Sequence, residues 1–372
     1  MLIGVPREIK SQEYRVGLTP ASVRELTSHG HQVLVEHDAG AGINTADSVY
    51  AAAGANIVSN AEEVFARAQM IVKVKEPQAA ERRRLKPGQI LFTYLHLAPD
   101  PEQARDLMQS GAICIAYETV TAAGGGLPLL APMSEVAGRM SVQAGAHNLE
   151  KTQGGMGILL GGVTGVLPAK IVILGAGVVG SNAAQTAAGS GAQVVVLDRN
   201  IDALRRIEGR LGARATTVFA NRDNIERHVL SADLVIGAVL IPGAAAPKLV
   251  SRQLVRAMKP GAVVVDVAID QGGCFETSRP TTHADPVYIV DRVVHYCVAN
   301  MPGGVPRTST FALNNATLPY VLMLADQGFR QALQDHAHLR AGLNVYEGKL
   351  TCREVADALH YPCHDALQLL TT

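Results

Sequence analysis

The stretch KIVILGAGVVGSNAA, residues 170–184, constrains the fold of this chain more than any other segment. A run of apolar, β-forming residues ends at the pattern Gly175-x-Gly177-x-x-Gly180, which opens a run of small residues compatible with a helix. Such a glycine pattern is weak alone, but a preceding strand and a following helix make it specific. Gly175 allows a tight turn, Gly177 lets a diphosphate approach the backbone, and Gly180 lets helix and strand pack closely. The segment therefore predicts a dinucleotide-binding βαβ unit.

An acidic residue follows at the spacing that such a unit requires. Asp198 ends the next apolar run, QVVVLD, 18 residues after Gly180. A carboxylate at this position accepts hydrogen bonds from ribose hydroxyls and repels a 2′-phosphate, so NAD is favoured over NADP. The adjacent Arg199 could soften this preference, although we expect it to face solvent on the other side of the strand.

Apolar strands alternate with helices through most of the chain. Strand candidates before residue 130 are LIGV (2–5), QVLVEH (32–37), NIVS (56–59), MIVKVK (70–75), QILFTYLH (89–96) and AICIAYE (112–118). A second series lies at 170–177, 193–198, 216–220, 233–239, 262–270 and 293–300. Between the two series, residues 133–153 are typical of one long helix with Ser134 as a possible N-cap. This alternation predicts mostly parallel sheets that are covered by helices on both faces.

The order of these elements predicts an α/β protein with two doubly wound domains. Residues 131–304 would form a Rossmann NAD-binding domain, inserted into a discontinuous substrate domain of residues 1–130 and 305–372. The last segment, from about Ser309, reads as mostly helical and too poor in strands for a third α/β domain. We expect it to pack back onto the N-terminal part.

The composition narrows the functional classes. Lys+Arg and Asp+Glu are balanced at 33 each, so no electrostatic argument points to nucleic acid or to an anionic membrane. The charged fraction of 18% lies below the usual value of roughly 25%, which suggests surface buried in a homo-oligomer. Five cysteines without framework spacing predict free thiols in a reducing compartment. The apolar stretch 157–180 is interrupted by Pro168 and Lys170, so we expect a soluble, cytoplasmic protein without a membrane span.

Polar residues stand at the ends of several predicted strands, where ligands bind in doubly wound sheets. Lys75 and His96 end two strands of the first series, and Asp270 and Asn300 end two strands of the second. Each has an ordinary structural explanation when taken alone, such as a capping acid or a snorkelling lysine. Because all occupy equivalent edge positions, we expect the two domains to bring Lys75 and His96 against Asp270 across a cleft.

Two other cations, Arg15 and Lys73, lie in the N-terminal part of the chain. Arg15 lies in the loop after the first strand, where its guanidinium could clamp a carboxylate bidentately. An ion pair of Arg15 with Glu8 or Glu13 is an equal alternative. Lys73 shares a strand face with Lys75 but lies about 7 Å deeper. We therefore interpret Lys75 as the substrate-binding lysine and Lys73 as a supporting group paired with an acid.

Several segments spread along the chain form a single pattern. They are GVPREIK with E-x-RV-x-LTP (4–20), VKVKEP (72–77), YLHLA (94–98), GGMGILLGGVTGV (154–166), ILGAGVVG (173–180), GAVLIPG (237–243), VDVAIDQGG (265–273) and NMPG (300–303). Together they resemble the family that contains alanine dehydrogenase and the NAD-binding portion of proton-translocating nicotinamide nucleotide transhydrogenase. The resemblance covers essentially the whole length.

This resemblance implies oxidative deamination of L-alanine to pyruvate and ammonium with NAD as hydride acceptor, and the reverse amination. It implies that Arg15 and Lys75 hold the substrate and that His96 and Asp270 form the acid/base pair. The NAD site would comprise Ser134, Gly175, Gly177, Val178, Val179, Gly180, Asp198, Val239, Leu240, Val267, Ala268, Ile269, Asp270, Arg279, Val298, Ala299, Asn300 and Met301. Members of the family are commonly homohexamers.

Two positions depart from the family pattern, and three alternatives remain open. Ala203 stands where a basic residue is usual and Ala220 where a hydroxyl residue is often found, which puts the strength of adenosine-side contacts in doubt. The alternatives are another NAD-linked amino-acid or opine dehydrogenase, a soluble transhydrogenase subunit, and a catalytically silent NAD sensor. No His, Cys, Asp or Glu group has convincing metal spacing, so we expect no metal.

Overall fold

The computed structural model describes residues 1–239 and 246–371. Its backbone groups into two compact units, one of Met1–Met133 with Val305–Thr372 and one of Ser134–Gly304. Both units are built from alternating strands and helices, as the two series of apolar segments predict.

The chain begins with six short strands and five helices. The strands are β1 (Leu2–Val5), β2 (Gln32–Glu36), β3 (Asn56–Val58), β4 (Met70–Val72), β5 (Ile90–Thr93) and β6 (Ile113–Ala116). The helices are α1 (Pro20–Ser28), α2 (Asp47–Ala52), α3 (Ala61–Arg67), α4 (Ala79–Arg82) and α5 (Pro101–Ser110). Strands β4 and β5 are shorter than predicted, so Lys75 and His96 lie in the turns that follow them rather than in the ladders.

The second unit follows helix α6 (Ala131–Asn148). Its strands are β7 (Lys170–Leu174), β8 (Gln193–Asp198), β9 (Ala215–Phe219), β10 (Leu234–Gly237), β11 (Val263–Asp266), β12 (Val287–Val290) and β13 (Val293–Tyr296). Its further helices are α7 (Val178–Gly189), α8 (Ile201–Leu211), α9 (Arg222–Ser231) and α10 (Arg252–Ala257).

The helix predicted over 133–153 has the wrong bounds at both ends, because α6 begins at Ala131 and ends at Asn148. The chain turns at Leu127 and enters α6 at Ala131, which leaves Ser134 inside the helix rather than at its N-cap.

The C-terminal segment contains both helices and strands. They are α11 (Pro306–Gln327), α12 (Phe329–Asp335), α13 (Ala337–Arg340), β14 (Leu343–Tyr346), β15 (Lys349–Leu350), α14 (Arg353–Leu359) and α15 (Ala366–Thr371). Strand β14 pairs antiparallel with β6 and thereby extends the sheet of the N-terminal part. The expectation of a strand-poor tail misses this hairpin, because each of its strands is short.

Both sheets follow the same doubly wound order. The strands run β15-β14-β6-β5-β4-β1-β2-β3 in the first unit and β12-β13-β11-β10-β7-β8-β9 in the second. Without the antiparallel edge strands, each sheet has the order 3-2-1-4-5-6 in its own strand sequence. The predicted α/β fold class with two doubly wound domains is confirmed.

The second sheet is buried on both faces. Along β7, Ile171 and Ile173 pack into one apolar cluster, whereas Val172 and Leu174 pack into another. This alternation follows from the two-residue period of a strand, and helices cover each face. All five cysteines are free thiols, as predicted. Among the described residues, every helix is too short or too polar to cross a membrane.

Candidate active site

The glycine-rich turn has the geometry that the sequence predicts. Gly175 has a φ of 109°, and a Cβ there would lie 2.6 Å from the carbonyl oxygen of Ala238. A Cβ at Gly180 would lie 1.8 Å from the oxygen of Gly175, so the first turn of α7 packs directly on the loop. A Cβ at Gly177, in contrast, would meet no atom of the described residues within 4 Å. Among these residues, the N-terminus of α7 is therefore open beside Gly177, and N–H groups at such a helix end attract an anion such as a diphosphate.

Asp198 is fixed beside this turn at the end of β8. Its carboxylate accepts hydrogen bonds from the backbone N–H of Ala176 at 2.6 Å and of Asn200 at 2.7 Å. Each carboxylate oxygen can accept more than one hydrogen bond, so Asp198 retains capacity for a ribose hydroxyl. The acid thus positions the glycine-rich loop as well as offering the predicted contact.

The other residues assigned to NAD by resemblance follow strand ends in the same sheet. Val239 comes two residues after β10, and residues 267–270 lie in the 3₁₀ turn Val267–Gln271 that directly follows β11. Asp270 therefore lies in a turn and not at the end of an extended strand. Residues 298–301 follow β13, with Asn300 in the left-handed region at a φ of 60°. Leu240 lies outside the described residues.

Arg279 and Ser134 reach the second unit's surface from other elements. The guanidinium of Arg279 stacks on the ring of Tyr288, with 4.2 Å between its carbon and the ring centroid. The hydroxyl of Tyr288 accepts a hydrogen bond from the Arg279 N–H at 2.8 Å and donates to the carbonyl of Thr277 at 2.9 Å. Ser134 is half-buried in α6. Tyr288 thus holds Arg279 at both its backbone and its side chain.

In the first unit, Lys73 is a buried structural cation. Its ammonium lies 2.7 Å from Glu81 and 3.1 Å from Glu8, and its side chain is fully buried. Burial alone would lower the pKa of Lys73, but the two carboxylates raise it well above its ordinary value. The acid partner expected for Lys73 is therefore present, and there are two of them.

Glu8 connects this buried cluster to Lys75. Its Oε1 accepts hydrogen bonds from the backbone N–H of Val74 at 2.6 Å and of Lys75 at 3.3 Å. The carbonyl of Lys75 accepts from the hydroxyl of Thr93 at 3.0 Å. The backbone of Lys75 is thus held on both sides, while its half-buried side chain is outside the Lys73 cluster. Burial, together with the charge of Arg15, lowers the pKa of Lys75.

His96 is held by an acid that the sequence analysis did not identify as functional. Glu118, in the 3₁₀ turn Tyr117–Thr119 that follows β6, accepts from the His96 N–H at 2.6 Å and from the Leu95 N–H at 3.1 Å. These bonds stabilise His96 at a φ of 48°, a left-handed conformation that is uncommon for residues other than glycine. The imidazole stacks on the ring of Tyr94, with centroids 5.8 Å apart, and is 45% exposed. The imidazole ring is therefore accessible on a fixed backbone, and its catalytic role remains a prediction.

Arg15 forms the ion pair that the sequence analysis left open as an alternative. Its Nε and Nη2 donate to the two carboxylate oxygens of Glu13 at 2.7 and 2.6 Å, and Nη1 lies 3.1 Å from the sulfur of Met133. Only 2% of Arg15 is exposed. The two bonds to Glu13 fix the direction of the guanidinium. Substrate binding by Arg15 remains a prediction.

The sequence could have revealed some of the supporting acids. Glu118 ends the segment AICIAYE and is therefore itself a polar residue at the end of a predicted strand. Asp266 interrupts the apolar run AVVVDVAI and could have been noticed for the same reason. The pairing of Glu8 and Glu81 with Lys73 had no local signal, because Glu8 is 65 residues away from the lysine.

One group of side chains in the described part of the chain has spacing compatible with a metal ion, and the expectation of no metal stays a prediction. Ligand atoms of His37, Asp38 and Asp47 lie within 4.8 Å of one another. Both ring nitrogens of His37 already face carboxylates, at 2.5 Å from Asp47 and 3.2 Å from Asp38. These two ion pairs account for the close approach of the three side chains.

Two doubly wound units, one with a dinucleotide turn and one with clustered basic residues and a histidine at its strand ends, define the class of dinucleotide-dependent enzymes. Family models for the alanine dehydrogenase/PNT N-terminal and C-terminal domains match residues 4–137 and 141–353. The chain belongs to the alanine dehydrogenase/PNT family.

Individual proteins in this family are similar over their full length. Alanine dehydrogenase of Halomonas elongata is 59% identical, and that of Mycolicibacterium smegmatis is 55% identical, with both chains covered completely in each comparison. A solved L-alanine dehydrogenase superposes with a TM-score of 0.94 at 53% identity, covering 97% of this chain and 99% of the other. A transhydrogenase from Sinorhizobium meliloti shares the fold, with a TM-score of 0.83 at 24% identity over 94% of this chain and 100% of the other.

Proposed function

We propose that this chain catalyses the NAD-dependent oxidative deamination of L-alanine to pyruvate and ammonium, and the reverse reductive amination. The observation that carries the proposal is the 59% identity to an alanine dehydrogenase over the complete length of both chains. An NAD-linked enzyme for another amino acid would share the fold. The 59% identity to an alanine dehydrogenase extends through both units, and therefore through the proposed substrate-binding unit as well.

The cofactor of the reaction is NAD, and the second unit has the features to hold it. The diphosphate would lie in the open space at Gly177, against the N–H groups that begin α7. Asp198 would accept from the adenosine ribose, and its charge disfavours a 2′-phosphate. When bound, NAD supplies the acceptor for the hydride that leaves the substrate Cα.

The first unit would bind and orient the substrate. Arg15 and Lys75 would neutralise the substrate carboxylate. Glu13 sets the direction of the Arg15 guanidinium, and Glu8 holds the backbone of Lys75. Orientation of this kind converts the transfer into a near-unimolecular step. The burial of Arg15 and the partial burial of Lys75 strengthen their interaction with an anion, because less water competes.

His96 and Asp270 would move and stabilise charge during deamination. Hydride loss from alanine with a neutral amine leaves an iminium cation, which the Asp270 carboxylate stabilises electrostatically. His96 takes a proton from the water that attacks this cation, which gives a carbinolamine, and returns the proton to the amine nitrogen. The C–N bond then breaks, and the ammonia that leaves takes up the hydroxyl proton, so that pyruvate and ammonium form. A histidine suits both steps, because its ordinary pKa lies near neutral pH.

A substrate panel tests the proposed activity. Purified protein with NAD should form NADH fastest with L-alanine and more slowly with L-serine, glycine and L-2-aminobutyrate, because a methyl-sized pocket rejects larger or more polar side chains. Faster turnover of another amino acid would assign a different dehydrogenase. Hydride exchange between NADH and a nucleotide analogue without any turnover of alanine would instead favour a transhydrogenase role.

We further propose that the active form is a homo-oligomer, with a hexamer as the expected number of subunits. The support is an apolar hairpin in the second unit, closed by a bridge between Val163 and Val166. Leu159, Val163, Val166 and Leu167 are 67, 59, 62 and 89% exposed in the single chain. A cluster of this kind is typical of a subunit interface, and its burial agrees with the low charged fraction.

The substitution Leu167→Glu is expected to shift the protein toward smaller species, because a buried carboxylate without a partner destabilises an interface. Mass photometry at matched concentrations would measure the species. Val49→Glu is the control, since Val49 is an exposed apolar residue of α2 outside this hairpin. An unchanged distribution for Leu167→Glu would exclude the hairpin as an interface.

We also propose a cytoplasmic location. Its support is the five free thiols, four of them buried, which are compatible with a reducing compartment. Fractionation of cells that produce the protein would test it.

A further inference from the structure

Strand β11 ends at a buried acid that the proposed reaction does not use. Asp266 is 0% exposed and directly precedes residues 267–270, the turn that carries Asp270. Buried carboxylates are uncommon unless they are paired or hydrogen-bonded. Its position in the last register of β11, opposite Gly237 of β10, places it at the edge where cofactors bind in this fold.

The side chain of Asp266 closes the loop that follows it. Oδ2 accepts a hydrogen bond from the backbone N–H of Cys274 at 2.8 Å and another from the hydroxyl of Ser278 at 2.5 Å. Both donors lie beyond the turn, so the two bonds tie the start of the loop to its end. Bonds to an ionised acceptor are among the stronger hydrogen bonds in proteins.

Two glycines leave the room that this carboxylate occupies. A Cβ at Gly273 would lie 2.4 Å from Oδ2 of Asp266, and a Cβ at Gly237 would lie 2.9 Å from Oδ1. Gly273 also has a φ of 79°, which other residues rarely adopt. A side chain at Gly273 or Gly237 would thus displace the carboxylate of Asp266.

The same loop is fastened from the side of Lys248. Its ammonium donates to the carbonyl of Gly272, and also to that of Phe275 at 3.2 Å. The backbone N–H of Ala246 donates to the carbonyl of Gln271 at 2.8 Å. The loop is therefore held by several bonds, of which those to Asp266 are the deepest.

We propose that Asp266 is a positioning residue, which fixes the Val267–Gly273 segment and thereby sets the place of Asp270 and of the adjoining NAD contacts. This inference rests on the proposed roles of those residues. Under this proposal Asp266 contacts neither substrate nor cofactor and acts only by holding the loop. A displacement of about 1 Å in such a segment is enough to lower a rate by about 10²-fold.

The protonation of Asp266 supports a functional reason for its presence. Burial raises the pKa of Asp266, and the bond from Ser278 opposes this only in part. A folded-state pKa above the unfolded value means that the folded form binds the proton more tightly. The group's contribution to stability therefore falls as pH rises through that interval, because the folded protein disfavours ionisation of this buried carboxyl group.

Three variants and one control test the proposal. Asp266→Ala removes both hydrogen bonds and is expected to lower kcat/KM for NAD by about 10- to 100-fold. Ser278→Ala removes one bond and should lower it by about 2- to 10-fold. Asp266→Asn keeps an acceptor oxygen and should restore most of the activity. The KM for alanine at saturating NAD should stay unchanged, because Arg15 and Lys75 belong to the other unit.

Asp233 provides the matched control within the same sheet. It is buried at the opposite edge, before β10, where it accepts from the Lys170 N–H at 2.7 Å and pairs with Lys259 at 2.7 Å. Asp233→Ala should lower the melting temperature and leave the NADH dissociation constant and kcat unchanged. If Asp266→Ala behaves in the same way, Asp266 is only structural and the inference is overturned.

The kinetic outcomes separate this inference from the proposed function. Asp270→Ala with a normal rate would remove the role of Asp270 itself. A second outcome is that Asp270→Ala is inactive while Asp266→Ala and Ser278→Ala both keep normal NADH affinity and kcat. That combination would overturn the positioning role of Asp266 and leave the role of Asp270 in place. Should Asp266→Ala fail to fold, Ser278→Ala decides the matter, since it leaves the buried acid in place.

Discussion

His96→Ala is expected to lower kcat for alanine deamination by roughly 10²–10⁴-fold, the usual contribution of a general acid/base. The imidazole is the exposed end of a fixed arrangement, because Glu118 holds the backbone and Tyr94 holds the ring face. Steady-state rates of NADH formation measure the loss. Activity that returns on addition of free imidazole would assign it to proton transfer rather than to misfolding.

His29→Ala is the matched control for this change. His29 belongs to the same unit and is 40% exposed, against 45% for His96, but it lies at the end of α1 beside Asp326. We expect nearly normal rates for His29→Ala. A His96→Ala enzyme with near-normal kcat across the pH range would contradict the acid/base role of His96.

Lys73→Met and Lys75→Met are expected to fail in different ways, although the two lysines are separated by one residue. Lys73→Met leaves Glu8 and Glu81 buried without their cation and should cost about 3–5 kcal/mol of unfolding free energy. Lys75→Met should instead weaken pyruvate binding by about 1.5–3 kcal/mol, or roughly 10- to 150-fold in KM, by loss of a charge-assisted bond. Denaturant titration and steady-state kinetics measure the two effects.

The pH dependence of each variant provides a second criterion. The stability deficit of Lys73→Met should shrink at acid pH, because the uncompensated carboxylates take up protons there. Burial lowers the pKa of Lys75, so in the native protein the KM for pyruvate should rise at a pH below the ordinary lysine titration near about 10.4. Lys75→Arg should move that rise to higher pH. Normal pyruvate binding in Lys75→Met, with impaired binding in a stable Lys73→Met, would reverse the assignment.

The fold is predictable from the sequence wherever its strands are central and parallel. Such strands are buried on both faces and read as continuous apolar runs, as in KIVIL and QVVVLD. The antiparallel strands β12 and β14, the first at a sheet edge and the second next to one, escape this reasoning. Strands β12 and β13 are joined by Asp291-Arg292, both at positive φ, and this hairpin turn lacks the glycine that usually reveals one.

The sequence indicates only the residues that are proposed to face a ligand, and not those that hold them in place. Polar residues at strand ends indicate Lys75, His96 and Asp270, although the structure places all three in turns just beyond the strands. The acids that position them come from other segments, and the sequence gives no rule that pairs distant charges. Glu118 is 22 residues from His96, and its effect depends on a backbone conformation that no local pattern predicts.

The central claim is that the hydride passes from the alanine Cα to NAD, and isotope transfer tests it most directly. L-alanine deuterated at Cα would be incubated with NAD and the protein, and the NADH analysed by mass spectrometry and NMR. The account predicts one deuterium per NADH at the nicotinamide C4, together with an equal amount of pyruvate. NADH without deuterium, or no NADH despite a folded protein that binds NAD, would contradict it.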